Sequence, residues 1–227
     1  MGRIVLKKLT TNYLKMSKGK YIIIEGGDGS GKGRQIELLG EYLNTKEIPF
    51  IRTIEPGATE IGEIYRGIIK TERGEILTPQ AELFTFLADR AQNIFHNVIP
   101  NLDEGRWVIS DRGFPSTFAY QGFGLGIDLK FIDELNNFVM TFKGRLIQPD
   151  LTVIIELDPS LGLKKAVEEK GKERMEKKGL WFHKKVLEGY LQFANTHNNS
   201  VLIQYIDGNP EGTFGCIRKD LEMRFKI

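Results

Sequence analysis

The chain has a single cysteine, Cys216, in 227 residues. No internal disulfide can form, and a reducing compartment suits such a sequence. No motif surrounds Cys216, which reads as a small packed residue rather than a nucleophile. Long apolar runs are missing too: none approaches the roughly 20 residues that a membrane span needs. Charge of one sign is absent. With 32 basic against 30 acidic residues and a net charge of +2, a dedicated nucleic-acid binder is excluded. Repeats, low-complexity tracts and an inter-domain linker are all lacking. Only the first twenty residues lack an acid, while holding Arg3, Lys7, Lys8, Lys15, Lys18 and Lys20. They resemble an organelle presequence weakly and hold no secretory core. Residues 1–19 are expected to be a basic N-terminal extension, or the working start is Met16. Residues 20–227 suit one domain with a sizeable core, and the cytoplasm is the expected location.

Against this plain background one stretch stands out, Tyr21-Ile22-Ile23-Ile24-Glu25-Gly26-Gly27-Asp28-Gly29-Ser30-Gly31-Lys32-Gly33-Arg34-Gln35. A β-branched run stops at paired glycines, and a helical pattern starts after Lys32. Gly26, Gly31 and Lys32 have the spacing of the phosphate-binding loop G-x-x-x-x-G-K-[ST]. Glycines let the backbone curl until successive N–H groups face an anion. The helix N-terminus and Lys32 add positive charge, so Gly26 to Arg34 form a cradle for a triphosphate. Gly33 stands where a hydroxyl would ligate Mg²⁺, so any Mg²⁺ must be held by substrate oxygens, waters and a more distant carboxylate. Arg34 either contacts the donor phosphates or is a solvated arginine on the first helical turn.

Downstream, Ile36, Leu39, Tyr42 and Leu43 mark a helix to about Lys46. A short strand over 49–53 leads to the loop Glu55-Pro56-Gly57-Ala58-Thr59, and Ile61, Ile64, Tyr65 and Ile68 mark another helix. Thr78-Pro79 opens a long helix towards Leu102. The strand Trp107-Val108-Ile109-Ser110 delivers Asp111 and Arg112 at its C-terminal end, where open α/β sheets bind ligands. There Arg112 can reach phosphates and Asp111 can hold a Mg²⁺-bound water. A glycine-broken helical region follows, then a strand over 151–157. The Lys/Glu run from Lys164 to Lys178, with Arg174, is either a solvated helix face or a lid that closes over phosphates. A helix over 179–195, a strand over 201–205 and a terminal helix end the chain. Alternating strands and helices predict an α/β fold with a parallel sheet covered on both faces.

Several blocks together resemble the thymidylate kinases of the nucleoside-monophosphate kinase group, from about Lys20 to Tyr205. They are the loop at 25–32, the block 55–59, Phe86-Leu87-Ala88-Asp89-Arg90-Ala91-Gln92, Asp111-Arg112 with Ser116 to Gly122, and Leu157-Asp158-Pro159 followed by Gly179 to His183. The resemblance implies a three-layer P-loop NTPase fold with a central five-stranded parallel sheet and a short lid at about 160–178. It implies ATP with Mg²⁺ as donor, dTMP as acceptor, and a homodimer, with no nucleic-acid or membrane partner. Phe86 would stack on the pyrimidine and Arg90 would bond its carbonyl edge. Thr117 and Gln121 would read the remaining edge, and Tyr120 would crowd the ribose 2′ position. Arg66 and Arg112 would hold the acceptor phosphate, Glu55 would face the acceptor site, and Asp28 would sit beside the acceptor sugar or the transferred group. Lys32, Arg112, Arg174 and Asp28 would carry catalysis, Arg174 as the lid arginine, and Asp111 would hold the metal through water. Without the family Phe86 reads as core and Tyr120 as a packed aromatic, and His183 reads as a helix-surface residue.

Departures from the family pattern are Gly33, Arg34, Ile54 before Glu55-Pro56-Gly57, Gly113 after Asp111-Arg112, and lysines in the lid. The alternatives are a kinase for another (deoxy)nucleotide or nucleoside, and a nucleotide-binding protein without catalysis.

Overall fold

The computed structural model describes residues 19–170 and 174–227. Residues 1–18 of the expected N-terminal extension, and 171–173 of the expected lid, lie outside the described residues. Five parallel strands form the sheet: β1 (Tyr21–Gly26), β2 (Phe50–Ile54), β3 (Trp107–Asp111), then β6 (Leu151–Glu156) and β7 (Ser200–Gln204). A two-residue hairpin, β4 (Thr141–Phe142) and β5 (Arg145–Leu146), lies apart from them. The spatial order is β2-β3-β1-β6-β7. From β1 the chain runs outwards to β2, and from β3 it crosses to β6 on the other side. The crevice therefore opens between the C-terminal ends of β1 and β3, where such sheets hold ligands.

Alternate residues of the central strands feed two different cores, which is why their sequences read as unbroken apolar runs. Ile22 and Ile24 of β1, with Val153 and Ile155 of β6, pack against α1 (Lys32–Thr45) and α9 (Pro210–Phe225) through Leu39, Leu43, Ile217 and Leu221. Tyr21 and Ile23 face the opposite side with Ile94, Val98 and Met140. On that side α2 (Glu60–Lys70), α3 (Pro79–Asn93), α4 (Ile99–Asp103), α5 (Phe114–Thr117), α6 (Leu129–Met140) and α8 (Gly179–Thr196) complete the layer. Each large side chain fully buried here contributes about 1.5–3 kcal/mol. The expected three-layer architecture is present.

The helix expected from Thr78 to Leu102 is present with one change of pitch. Thr78 Oγ1 caps α3 by accepting from the Ala81 N–H at 3.3 Å, and a π turn over Ile94–Val98 joins α3 to α4. The interruption falls just ahead of Pro100, which has no N–H to donate. The glycine-broken region contains a second π segment, Phe118–Gly124. Pro159–Lys170 forms α7, and a 3₁₀ turn at Glu176–Lys178 leads into α8. Cys216 is exposed on α9 rather than packed.

Candidate active site

The loop after β1 performs the turn its glycines predict. Gly26 has φ 144° and Gly29 φ 72°. A Cβ on Gly29 would meet the Gly162 carbonyl oxygen of α7 at 2.1 Å, and one on Gly26 would meet the Ile155 oxygen at 2.7 Å. A side chain at Gly26 would push the loop off β6, and one at Gly29 would push it off α7. Helix α1 starts at Lys32 with no side-chain cap and no acid in its first turn, so its N-terminal N–H groups face the crevice uncompensated. The Lys32 ammonium curls under the loop, donating to the carbonyls of Gly26 at 3.0 Å and Gly27 at 2.8 Å. Burial, and then the neighbouring Arg112, draw its pKa down to about 8 against the pull of Asp28, Asp111 and Glu25.

The residues at the end of β3 converge on the same loop. Arg112, at φ 72°, donates to Asp28 Oδ1 at 2.7 Å, to Ser116 Oγ at 3.2 Å and to the Gly26 carbonyl at 3.3 Å. Burial alone would raise the Asp28 carboxyl, but Arg112 and then Lys32 outweigh it and hold it below its ordinary value. Behind this pair lies Glu25, the only acid of β1 and fully buried. It accepts from the N–H groups of Gly113 and Ser116, at 2.8 and 3.0 Å, and from the Tyr190 hydroxyl at 2.8 Å. Burial raises its pKa, opposed chiefly by Arg112. Asp111 Oδ1 is buried, and no group donates to it among the described residues. An orphaned carboxylate oxygen on the cavity wall suits a cation-bound water. No cluster of three His, Cys, Asp or Glu stands ready for a metal among the described residues.

A cavity of about 390 Å³ runs from residues 28–34 past Asp111, Arg112 and Tyr120 to Arg66, Phe86, Arg90 and Gln121. Its far end rests on buried charge. Arg90 is 2 % exposed. Its Nε donates to Glu55 at 2.8 Å, and its Nη1 donates to Thr117 at 2.9 Å and to Asn136 at 2.5 Å. Asn93 donates to the other Glu55 oxygen at 3.1 Å. Arg90 Nη2 has no protein acceptor among the described residues and stays available to a ligand. Thr117 is not part of the cavity wall; it stands one layer behind, supporting Arg90. Arg66 donates to the Pro56 carbonyl at 2.7 Å, and the Tyr120 hydroxyl donates to Asp28 Oδ2 at 3.2 Å.

Two arginines are engaged away from the phosphate loop. Arg34 is 42 % exposed at the rim and pairs with Glu37 at 3.2 Å, Glu211 at 3.3 Å and Glu41 at 3.7 Å. Arg174 sits at the far end, donating to the Ile69 carbonyl at 2.7 Å and to Glu82 at 2.5 Å. His183 is not on the surface. It is 5 % exposed, with Nδ1 3.9 Å from Asp28 Oδ2 and Nε2 3.1 Å from the Met175 carbonyl. Its spacing with Val186 and Tyr190 was the available signal of an inward face. Glu82 and Asn136 carry no motif, and only the fold brings them behind the cavity wall, against Gln121 and Arg90.

An anion cradle at one end and a walled, charge-lined pocket at the other, joined without a barrier, is the layout of a nucleotide kinase on the P-loop α/β scaffold. The thymidylate kinase family model matches residues 24–212. The chain is 43% identical to a thymidylate kinase of Carboxydothermus hydrogenoformans, over 90% of this chain and 98% of that one. It is 36% identical to one of Maridesulfovibrio salexigens, over 91% and 96%. The crystal structure of thymidylate kinase from Ehrlichia chaffeensis superposes with a TM-score of 0.71 at 30% identity, covering 90% of this chain and 98% of that one. This chain belongs to the thymidylate kinase family.

Proposed function

We propose that this chain moves the γ-phosphate of ATP onto dTMP, giving dTDP and ADP. The observation that carries the reading is the single cavity shared by the loop at 28–34 and by Phe86, Arg90 and Gln121. Lys32 and the loop amides bind the donor phosphates. Arg112, already between Asp28 and the loop, steadies the acceptor phosphate and the charge that spreads in transfer. Arg174 joins it once released from Glu82, and Arg66 holds the acceptor phosphate from the other side. Phe86 stacks on the pyrimidine, and Arg90, held rigid by Glu55, Thr117 and Asn136, offers Nη2 to a base carbonyl. Tyr120 fills the space beside the sugar. The acceptor is already an anion, so no strong general base is needed. Mg²⁺ bound with ATP supplies charge neutralisation at the phosphates, and Asp111 would hold it through water.

The same reading makes the chain a cytoplasmic homodimer. Helix α3 packs with both α2 and α6. These helices and the π turn after α3 expose Ile61, Ile64, Phe84, Phe95, Phe131 and Phe138, the last 78 % exposed. Apolar residues grouped in this way suit a second copy. Sedimentation is expected to give a dimer, and a monomer at micromolar concentration would contradict it. The function is tested by coupled ADP release over a panel of acceptors. Turnover is expected with dTMP; silence with dTMP alongside turnover with another acceptor would reassign the substrate.

A further inference from the structure

Glu82 lies on α3 one turn before Phe86, and no motif or family correspondence marked it. Its side chain is 1 % exposed. One carboxylate oxygen accepts from Gln121 Nε2 at 2.8 Å. The other accepts from Arg174 Nη2 at 2.5 Å, with Lys178 Nζ at 3.9 Å. Among the described residues those two cations are its charged partners, and a carboxylate can only accept. Gln121 is therefore obliged to turn its NH₂ towards Glu82. Its carbonyl oxygen then faces the other way, and no protein group donates to that oxygen among the described residues. Gln121 shares the cavity wall with Phe86 and Arg90.

We infer that Glu82 is a specificity-determining positioning residue, which pins the Gln121 amide so that an acceptor, never a donor, meets the pyrimidine. An acceptor there matches the N3–H of thymine or uracil and opposes the N3 lone pair of cytosine. A freely turning amide would serve both bases, so the discrimination comes from the carboxylate behind it. The inference rests on the proposed reading that Gln121 meets the base edge.

The test compares kcat/KM for dTMP and 5-methyl-dCMP, acceptors that differ only at the N3 and C4 edge. In Glu82→Gln the two amides can pair in either sense, so the preference for dTMP is expected to shrink tenfold or more, with the KM for ATP unchanged. Arg90 acts equally in parent and variant and cancels from the comparison. If Glu82→Gln does not fold, Glu82→Ala frees the same amide and reads the same ratio. A preference within twofold of the parent's, with both acceptors slowed alike, would make Glu82 merely structural and overturn the inference. Gln121→Ala separates the two levels. If it shifts the ratio while the Glu82 variants do not, only the pinning fails; if it leaves the ratio unchanged, base reading by Gln121 fails and the pinning with it.

Discussion

The two ends of the cavity are made in opposite ways. The donor end is one backbone loop of consecutive residues, and its donors are mostly main-chain N–H groups fixed by glycine conformation. The acceptor end is a set of buried side chains from the β2–α2 loop, α3, α5, the second π segment and α6, with Arg90 bonded to partners 27 to 46 residues away. A backbone cradle tolerates changes in nearby side chains. A buried ionic network does not, because losing one member strands another charge in a medium that cannot solvate it.

The largest effect that would test this contrast is at Arg90. Arg90→Ala leaves Glu55 buried without its counter-ion, and urea unfolding should show a loss of about 3–5 kcal/mol. Adding Glu55→Gln should restore much of it; no restoration would mean that the network is not the source. At the donor end, Lys32→Ala should lower kcat/KM by about 10²–10³ with the urea midpoint little changed. Unaltered turnover would refute the cradle.

A smaller, pH-dependent effect belongs to Asp89. It accepts from the Gly57 N–H at 2.9 Å, and its other oxygen has no donor among the described residues. Burial first, and Glu55 second, push its carboxyl up to about 7. The folded chain thus holds a proton that the unfolded chain, titrating near 3.9, has released. This group's contribution to stability is complete below about pH 4 and is lost as pH rises through about 7. Asn cannot titrate, so the urea midpoint of Asp89→Asn should gain on the parent's between pH 5 and pH 8. Equal gains at both pH values would show that no proton is held there. The smallest effect is expected from Arg34→Ala. Its guanidinium is already shared among three exposed glutamates, so ATP affinity should change by less than about threefold. A tenfold loss would put Arg34 on the phosphates.

This contrast also explains what was legible in the sequence. The sheet was readable because β-branched runs such as Tyr21–Ile24 and Leu151–Ile155 have one meaning when helices alternate with them. The donor loop was readable because its physics is local. The hairpin at 141–146 has strands of two residues each, too short for any period to show. The π turns keep helical spacing and differ only in pitch. His183 shares an inward face with Val186 and Tyr190, but a polar residue on a helix reads as exposed until its partners are known. Glu82 and Asn136 gain meaning only when the fold sets them beside Gln121 and Arg90. Residues whose role is to hold other residues leave no spacing signature.

The most direct test is calorimetric titration of ATP and of dTMP into Lys32→Ala and Phe86→Ala. Lys32→Ala is expected to lose ATP affinity and keep that for dTMP, while Phe86→Ala does the reverse. If Lys32→Ala binds ATP as tightly as the parent, or if both ligands weaken together in both proteins, the two-ended cavity described here is wrong.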